Sequence, residues 1–387
     1  MTDKYTDYLI IGAGIAGASA AYELAKEASV ILIERETQLA YHSTGRSAAI
    51  YMQAYGNKTV RGLTKHSLEF YTNPPKGFSD KPLLRERGAI FLATKEQKIL
   101  AEQHYKEMKN DVSNLRLLEG NQLRNIVPVI NTDIYTSGIF EQDAMDIDTH
   151  AVHQGYINGF KEKGGALITN CSVNSISRHN NLWSIDTTQG NIVTPMIINA
   201  AGAWADQIAG LAGVRSINLE PKKRSVFYLS IDEFNINKWP YVGDLSESFY
   251  FRPDSGKLFV SPCDEIPITP CDAKPSDLDI AIAANNLEVL TDIDVKKIDH
   301  TLAGLRSFVA DRTPVVGEDT DVSGFFWLVG QGGYGFQTAP AIANCCRMLL
   351  TKKCFPDSLK NIGVLEEALS PNRISLERNS MAIGVTK

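Results

Sequence analysis

Short apolar runs separated by glycine turns open the chain, and alternating runs broken by Pro and Asp fill its middle. Tyr8–Ile11 and Val30–Ile33 are continuous apolar stretches, the pattern of parallel strands covered on both faces. Between them Ile15–Lys26 carries small and apolar residues at helical spacing. The N-terminus therefore reads as strand, tight turn, helix, strand. Gly45–Tyr55 has small residues and no period, which predicts a loop, and helical patterns return at Val60–Tyr71 and Glu96–Met108. Strands are expected at Ala166–Val173, Leu182–Asp186 and Ile192–Asn199, then in a second block at Arg224–Leu229, Ser248–Arg252 and Lys257–Ser261. Finally, Phe325–Val329 feeds a glycine-rich turn, Gly330–Gly335, followed by a helix from Gln337 to Leu350.

This order predicts an α/β fold with a discontinuous Rossmann-like domain and a mixed-sheet α+β domain inserted into it. The expected nucleotide domain takes 1–81, 145–219 and 302–387; the expected substrate domain takes 82–144 and 220–301. Composition changes little in this picture. With 387 residues, 43% hydrophobic and 22% charged, the chain can bury two cores unaided. A net charge of −6 and the lack of a long basic run argue against a nucleic-acid partner. No stretch is apolar enough to span a membrane, and residues 1–7 are too polar for a signal peptide. The expected location is the cytoplasm, with contact at the inner membrane face left open. The six cysteines lack CxxC spacing, so no metal site is expected and the thiols read as reduced and structural.

The first chemical motif is Gly12-Ala13-Gly14-Ile15-Ala16-Gly17. Gly12 permits a tight turn, Gly14 lets backbone amides approach a pyrophosphate, and Gly17 lets helix and strand pack closely. The anion would sit on the helix N-terminus, and Glu34, ending the second strand, is placed to accept from a ribose diol. The motif alone does not separate NAD from FAD. Its extreme N-terminal position, the discontinuous domain and the second glycine turn, Gly330-Gln331-Gly332-Gly333-Tyr334-Gly335, lean to FAD. A helix start at that turn would stabilise negative charge on a reduced flavin.

Four segments carry a resemblance: Tyr41–Ala49, Asn199–Trp204, Ala303–Phe308 and Gly330–Gln337. Together, and in this order, they resemble the D-amino acid oxidase superfamily of flavoproteins, with most likeness to the bacterial FAD-dependent D-arginine dehydrogenases. The resemblance implies that Arg35, Ser43, Thr44, Ser47 and Ala48 wrap the phosphates and flavin. It implies that Val173 holds the adenine by its backbone, and that Ala201, Gly202 and Trp204 lie against the nucleotide. Gly332, Gly333, Tyr334 and Gly335 would meet the flavin. The turn has no cysteine, so the FAD is expected to be non-covalent.

An amino-acid substrate needs its carboxylate anchored while its α-hydrogen faces the flavin, and arginine is the best anchor. The resemblance assigns this to Arg224 and Arg306, the latter also close to the cofactor. Tyr55 and Tyr250 would line the pocket, and Gln337 would reach the cofactor or the carboxylate. His42 and His66 read as structural, because hydride loss from a neutral amine needs no strong base. The arginine-active relatives place a glutamate at the position of Ala89, and a histidine and a threonine at those of Ile50 and Met52. The expected substrate is therefore a D-amino acid with a neutral or apolar side chain, unless Glu86 or Glu247 supplies a charge. The expected reaction is oxidative deamination to a 2-oxo acid, with a quinone or other carrier as acceptor in preference to dioxygen. N-methyl amino acids or 2-hydroxy acids as substrates, or a silent FAD-binding sensor, are the alternatives.

Overall fold

The computed structural model describes residues 3–374, and structural statements below concern those residues. Its centre is a six-stranded sheet in the order 166–168, 30–33, 8–11, 196–199, 325–329, 315–318. All neighbours are parallel except the last pair, Val315–Glu318 against Phe325–Val329. The apolar runs are continuous because each strand feeds two cores. Ile10, Leu32, Ile198, Phe326 and Leu328 point to one, under the helices Ile15–Leu24, Thr149–Glu162 and Gly335–Arg347. Their neighbours Leu9, Ile11, Ile31, Ile33, Ile197, Phe325, Trp327 and Val329 point to the other. That second face is covered by a small sheet of 4–5, 190–194, 182–187 and 173–179. Alternation of side chains along a strand makes this division automatic.

Two expected strands are each split between these sheets. Ile192–Asn199 is not continuous: Gly190–Thr194 belongs to the small sheet and Met196–Asn199 to the central one. Pro195 lies at the break, where it lacks an amide to donate, and Met196 N donates instead to Thr194 Oγ1 at 3.2 Å. Ala166–Val173 likewise ends at Ile168, and the chain turns through Asn170, with φ of 52°, before Val173–His179 begins. The expected loop 45–55 contains a short strand, Ile50–Tyr51, which pairs with Met145–Ile147. The last long helix runs Gly335–Arg347, and Met348–Lys352 widens into a π turn.

The second large sheet has nine strands, with 220–229, 241–244, 250–254 and 257–261 joined to 89–94, 115–119 and 135–141. Strand His300–Phe308 pairs antiparallel with Glu220–Leu229 along its whole length. It thus crosses the expected boundary at 302 and carries Arg306 from this sheet toward the central one. Leu328, fully buried in the first core, tests the packing. Leu328→Ala should lower unfolding free energy by about 2–5 kcal/mol, read by urea denaturation. Leu365, 54% exposed, should give less than about 0.5 kcal/mol on the same change.

Candidate active site

The nucleotide end is built at the point where the central sheet changes direction. Strand 8–11 lies between 30–33 on one side and 196–199 on the other, the place where ligands bind in open α/β sheets. Gly12 has φ of 104°, and a Cβ there would lie 2.5 Å from the Ala200 carbonyl oxygen. A Cβ on Gly17 would lie 1.8 Å from the Gly12 oxygen. The helix from Ile15 has no side-chain cap at Gly14, so its first-turn amides are available to an anion. Ile15 N donates to Thr44 Oγ1 at 3.0 Å. Glu34 accepts from Ala13 N at 2.9 Å and from Glu36 N at 3.0 Å, which fixes its carboxylate beside the turn.

Two clefts meet at Gly14, Ser43, Thr44, Ala200 and Gly202. The first, about 1040 Å³, is lined by Gly12, Glu34, Arg35, Val173, Ala201 and Trp204, among others. The Arg35 guanidinium sits 4.4 Å from the Trp204 ring centre, and His42 packs against the same indole while Nε2 meets Glu36 at 2.9 Å. The second, about 910 Å³, runs past Ser47 and Ala48 to Arg224, Tyr250, Arg306, Gly332, Gly333 and Gly335. The continuity of the two clefts from an acid beside a helix N-terminus to a second glycine turn fits an extended dinucleotide.

Arg306 is the centre of the far end. A Cβ on Gly333 would lie 3.1 Å from Arg306 Nη1 and 3.3 Å from the Tyr55 hydroxyl, so both reach the same turn. Tyr55, Tyr250, Cys263 and Tyr241 act most strongly on the Arg306 charge, and no carboxylate is ion-paired with it among the described residues. Burial pushes the Tyr55 hydroxyl up to about 12, with Arg306 pulling the other way, so it is a neutral donor at pH 7. Arg224 is differently placed. Its Nη2 donates to Glu265 Oε1 at 3.0 Å, and its buried Nε has no partner among the described residues. Glu265 also accepts from Arg312 at 2.8 and 2.7 Å; hydrogen bonding from Arg312 holds its carboxyl at about 2.

Other expected site residues fall elsewhere. Tyr55 and Tyr334 pack on each other, ring centres 5.1 Å apart, and line an adjoining cleft with Glu247. Gln337 does not line the clefts: its Nε2 donates to Thr64 Oγ1 at 2.9 Å, on the buried face between two packed helices. The expected reach to cofactor or carboxylate is replaced by helix packing, because residue 337 falls on the inner face of its helix. His66 meets Ser358 at 2.8 Å, away from the clefts. Sequence reasoning missed His153, which is buried with Nε2 donating to the Ala13 carbonyl at 2.9 Å. Burial lowers its pKa, so a neutral ring supports the glycine turn from below. It also missed Arg46, whose Nη1 donates to Ala303 O at 2.8 Å and Ala273 O at 3.1 Å. Arg46 lay inside a recognised motif, whereas no local pattern marks His153.

If Glu34 receives a ribose, Glu34→Ala should weaken FAD binding by roughly tenfold or more, the value of a hydrogen bond to a charged group. Flavin fluorescence during titration of the apoprotein reads this, and an unchanged dissociation constant would remove the ribose assignment. His153→Ala should act in the same direction through the turn it supports.

Comparison with known proteins matches this geometry. The family model described as DAO, FAD dependent oxidoreductase, covers residues 7–347. Rat (Rattus norvegicus) mitochondrial dimethylglycine dehydrogenase is 24% identical over 260 residues, 66% of this chain but 30% of that protein. The chain thus spans under a third of that relative's length. The uncharacterized oxidoreductase YurR of Bacillus subtilis is 25% identical, with 89% of this chain and 95% of that protein covered. Among solved structures, L-proline dehydrogenase from P. horikoshii superposes with a TM-score of 0.84 at 22% identity, over 97% of this chain and 99% of that one. The chain belongs to the DAO family of FAD-dependent oxidoreductases.

Proposed function

We propose that the chain is a dehydrogenase that oxidises the α-carbon–nitrogen bond of a small amino acid, a D-amino acid with a neutral or apolar side chain. Bound FAD would accept the hydride, and it would be held without a covalent link by the two glycine turns, Glu34 and Thr44. The observation that carries the reading is Arg306, a guanidinium with no ion-paired carboxylate among the described residues, lining a cleft beside Tyr55 and Tyr250. A cation so placed favours a carboxylate ligand, because burial without a partner is costly. Arg306 then anchors the substrate, and the Tyr55 hydroxyl stands close enough to share the task. Arg224 adds positive potential from behind Glu265.

The apolar preference rests on the cluster of Ile50, Met52, Ala89 and Ala144, against which Tyr55, Phe91 and Tyr241 pack. A cationic side chain would find no acid within the cluster itself, and Glu141, which borders it, is turned onto the Gln53 and Ala54 amides. Glu86 is exposed on its strand, while Glu247 lies in the adjoining cleft. The D configuration and a quinone-like acceptor rest on the family resemblance. The names of two of the similar proteins, dimethylglycine dehydrogenase and L-proline dehydrogenase, favour a second reading in which the substrate nitrogen is itself substituted.

Anaerobic mixing with a panel of substrates separates these readings. D-methionine, D-leucine or D-phenylalanine should bleach the flavin faster than D-arginine, sarcosine or L-proline. D-arginine as the fastest would sink the apolar preference, and sarcosine or L-proline as the fastest would install the second reading. Arg306→Met should lower kcat/KM by about 30-fold or more, the usual result of truncating one partner of a buried charge pair. Acid precipitation should leave the yellow colour in solution.

A further inference from the structure

Glu141 is a buried carboxylate that the proposed reaction does not use. It ends strand Tyr135–Glu141 and is 1% exposed. Its two oxygens accept from the Gln53 amide at 2.7 Å and the Ala54 amide at 3.0 Å. The groups acting on its charge include no cation: burial pushes its carboxyl up to about 7, the two amides pull it down, and Asp143 pushes it up. Near neutral pH the ionised form is therefore a cost to the fold. A costly side chain at a fixed place calls for a task, and the geometry supplies one.

Gln53 and Ala54 lie between strand Ile50–Tyr51 and Tyr55. A pair of successive amides on one carboxylate is a strong, directional grip. Across the sheet, Glu141 stands directly opposite Ala89 on one side and Leu115 on the other. Opposed residues share a face, so the carboxylate borders the apolar cluster of Ile50, Met52 and Ala89 against which Tyr55 packs. It is turned onto backbone amides.

We propose that Glu141 is a positioning residue for Tyr55: it clamps the 53–54 amides, sets the Tyr55 hydroxyl beside Arg306, and so governs how tightly a substrate carboxylate is held. This rests on the substrate reading given above. A purely structural Glu141 would alter stability without acting through Tyr55, which makes the two separable.

The test is a double-mutant cycle in the FAD-loaded full chain, with Glu141→Gln, Tyr55→Phe and both together. The readouts are kcat and KM for the fastest substrate of the panel, and the dissociation constant of benzoate, a carboxylate with no oxidisable α-hydrogen, from flavin absorbance. Glu141→Gln should raise KM and the benzoate constant by roughly tenfold while kcat changes far less, as for a lost hydrogen bond in binding. In the Tyr55→Phe background the same change should have an effect under about twofold. Equal effects in both backgrounds, or no effect in either, would overturn the proposal. If Glu141→Gln does not fold, hydrogen exchange in the unmutated holoenzyme decides: Gln53 and Ala54 amides should be strongly protected, and exchange at the rate of a free peptide overturns the clamp. Benzoate coupling with no turnover of any amino acid would instead discard the substrate reading and leave the clamp standing.

Discussion

One close backbone approach sets the rest. Where the chain leaves strand 8–11, Gly12 passes so near the Ala200 carbonyl that a Cβ would stand 2.5 Å from it. That contact joins the first βαβ unit to strand 196–199 at the reversal of strand order. It also leaves the crevice into which both clefts open. Helix Ile15–Leu24 can start at the crevice floor only because Gly17 packs on the Gly12 oxygen. From below, His153 fixes the Ala13 carbonyl; from the side, Glu34 fixes the Ala13 amide. One short turn is thus held through both its donor and its acceptor, which preorganises the backbone at a helix N-terminus.

At the other end the organising force is electrostatic. Glu265 draws Arg312 and Arg224 together and satisfies much of both. Arg312 stacks 4.1 Å over Phe308, and Phe308 in turn packs on Tyr334. The two arginines expected to act alike therefore differ: Arg224 is ion-paired with Glu265, and Arg306 is left facing tyrosines. Pairing decides the roles, and pairing is a property of the folded chain.

This explains what the sequence could and could not disclose. Continuous apolar runs reveal parallel strands because both faces are buried, and the glycine turns are legible because no other residue fits there. The split at Pro195 was readable in principle, since a proline ends hydrogen bonding, but the apolar run continues across it into a different sheet. Helix Thr149–Glu162, which covers the central sheet, has the moderate amphipathic pattern of many buried helices and carries no motif. Gln337 shows the limit of motif reading: it sits in the right segment, yet helix phase turns it toward Thr64. Glu141 and Glu265 could not be found from spacing, because their partners lie 87–88 and 41–47 residues away in sequence.

The same electrostatics bear on the proton that an amine must lose before it can give up a hydride. Tyr55, with burial holding its hydroxyl up to about 12, is too weak an acid to be ionised and serve as a base near neutral pH. His66 sits against Ser358, and His42 belongs to the rim of the cleft beside Glu34, with Glu36 and Trp204. In the proposed reaction the substrate nitrogen would instead enter a cleft lined by the Arg306 and Arg224 guanidiniums and Tyr250. Both burial and a neighbouring cation lower the pKa of an ammonium group. The carboxylate on the same molecule offsets part of that effect by pairing with the Arg306 guanidinium, and desolvation supplies the remainder. A site built this way would take up the neutral amine from solution, and in the proposed reaction binding would complete the step that otherwise demands a catalytic base.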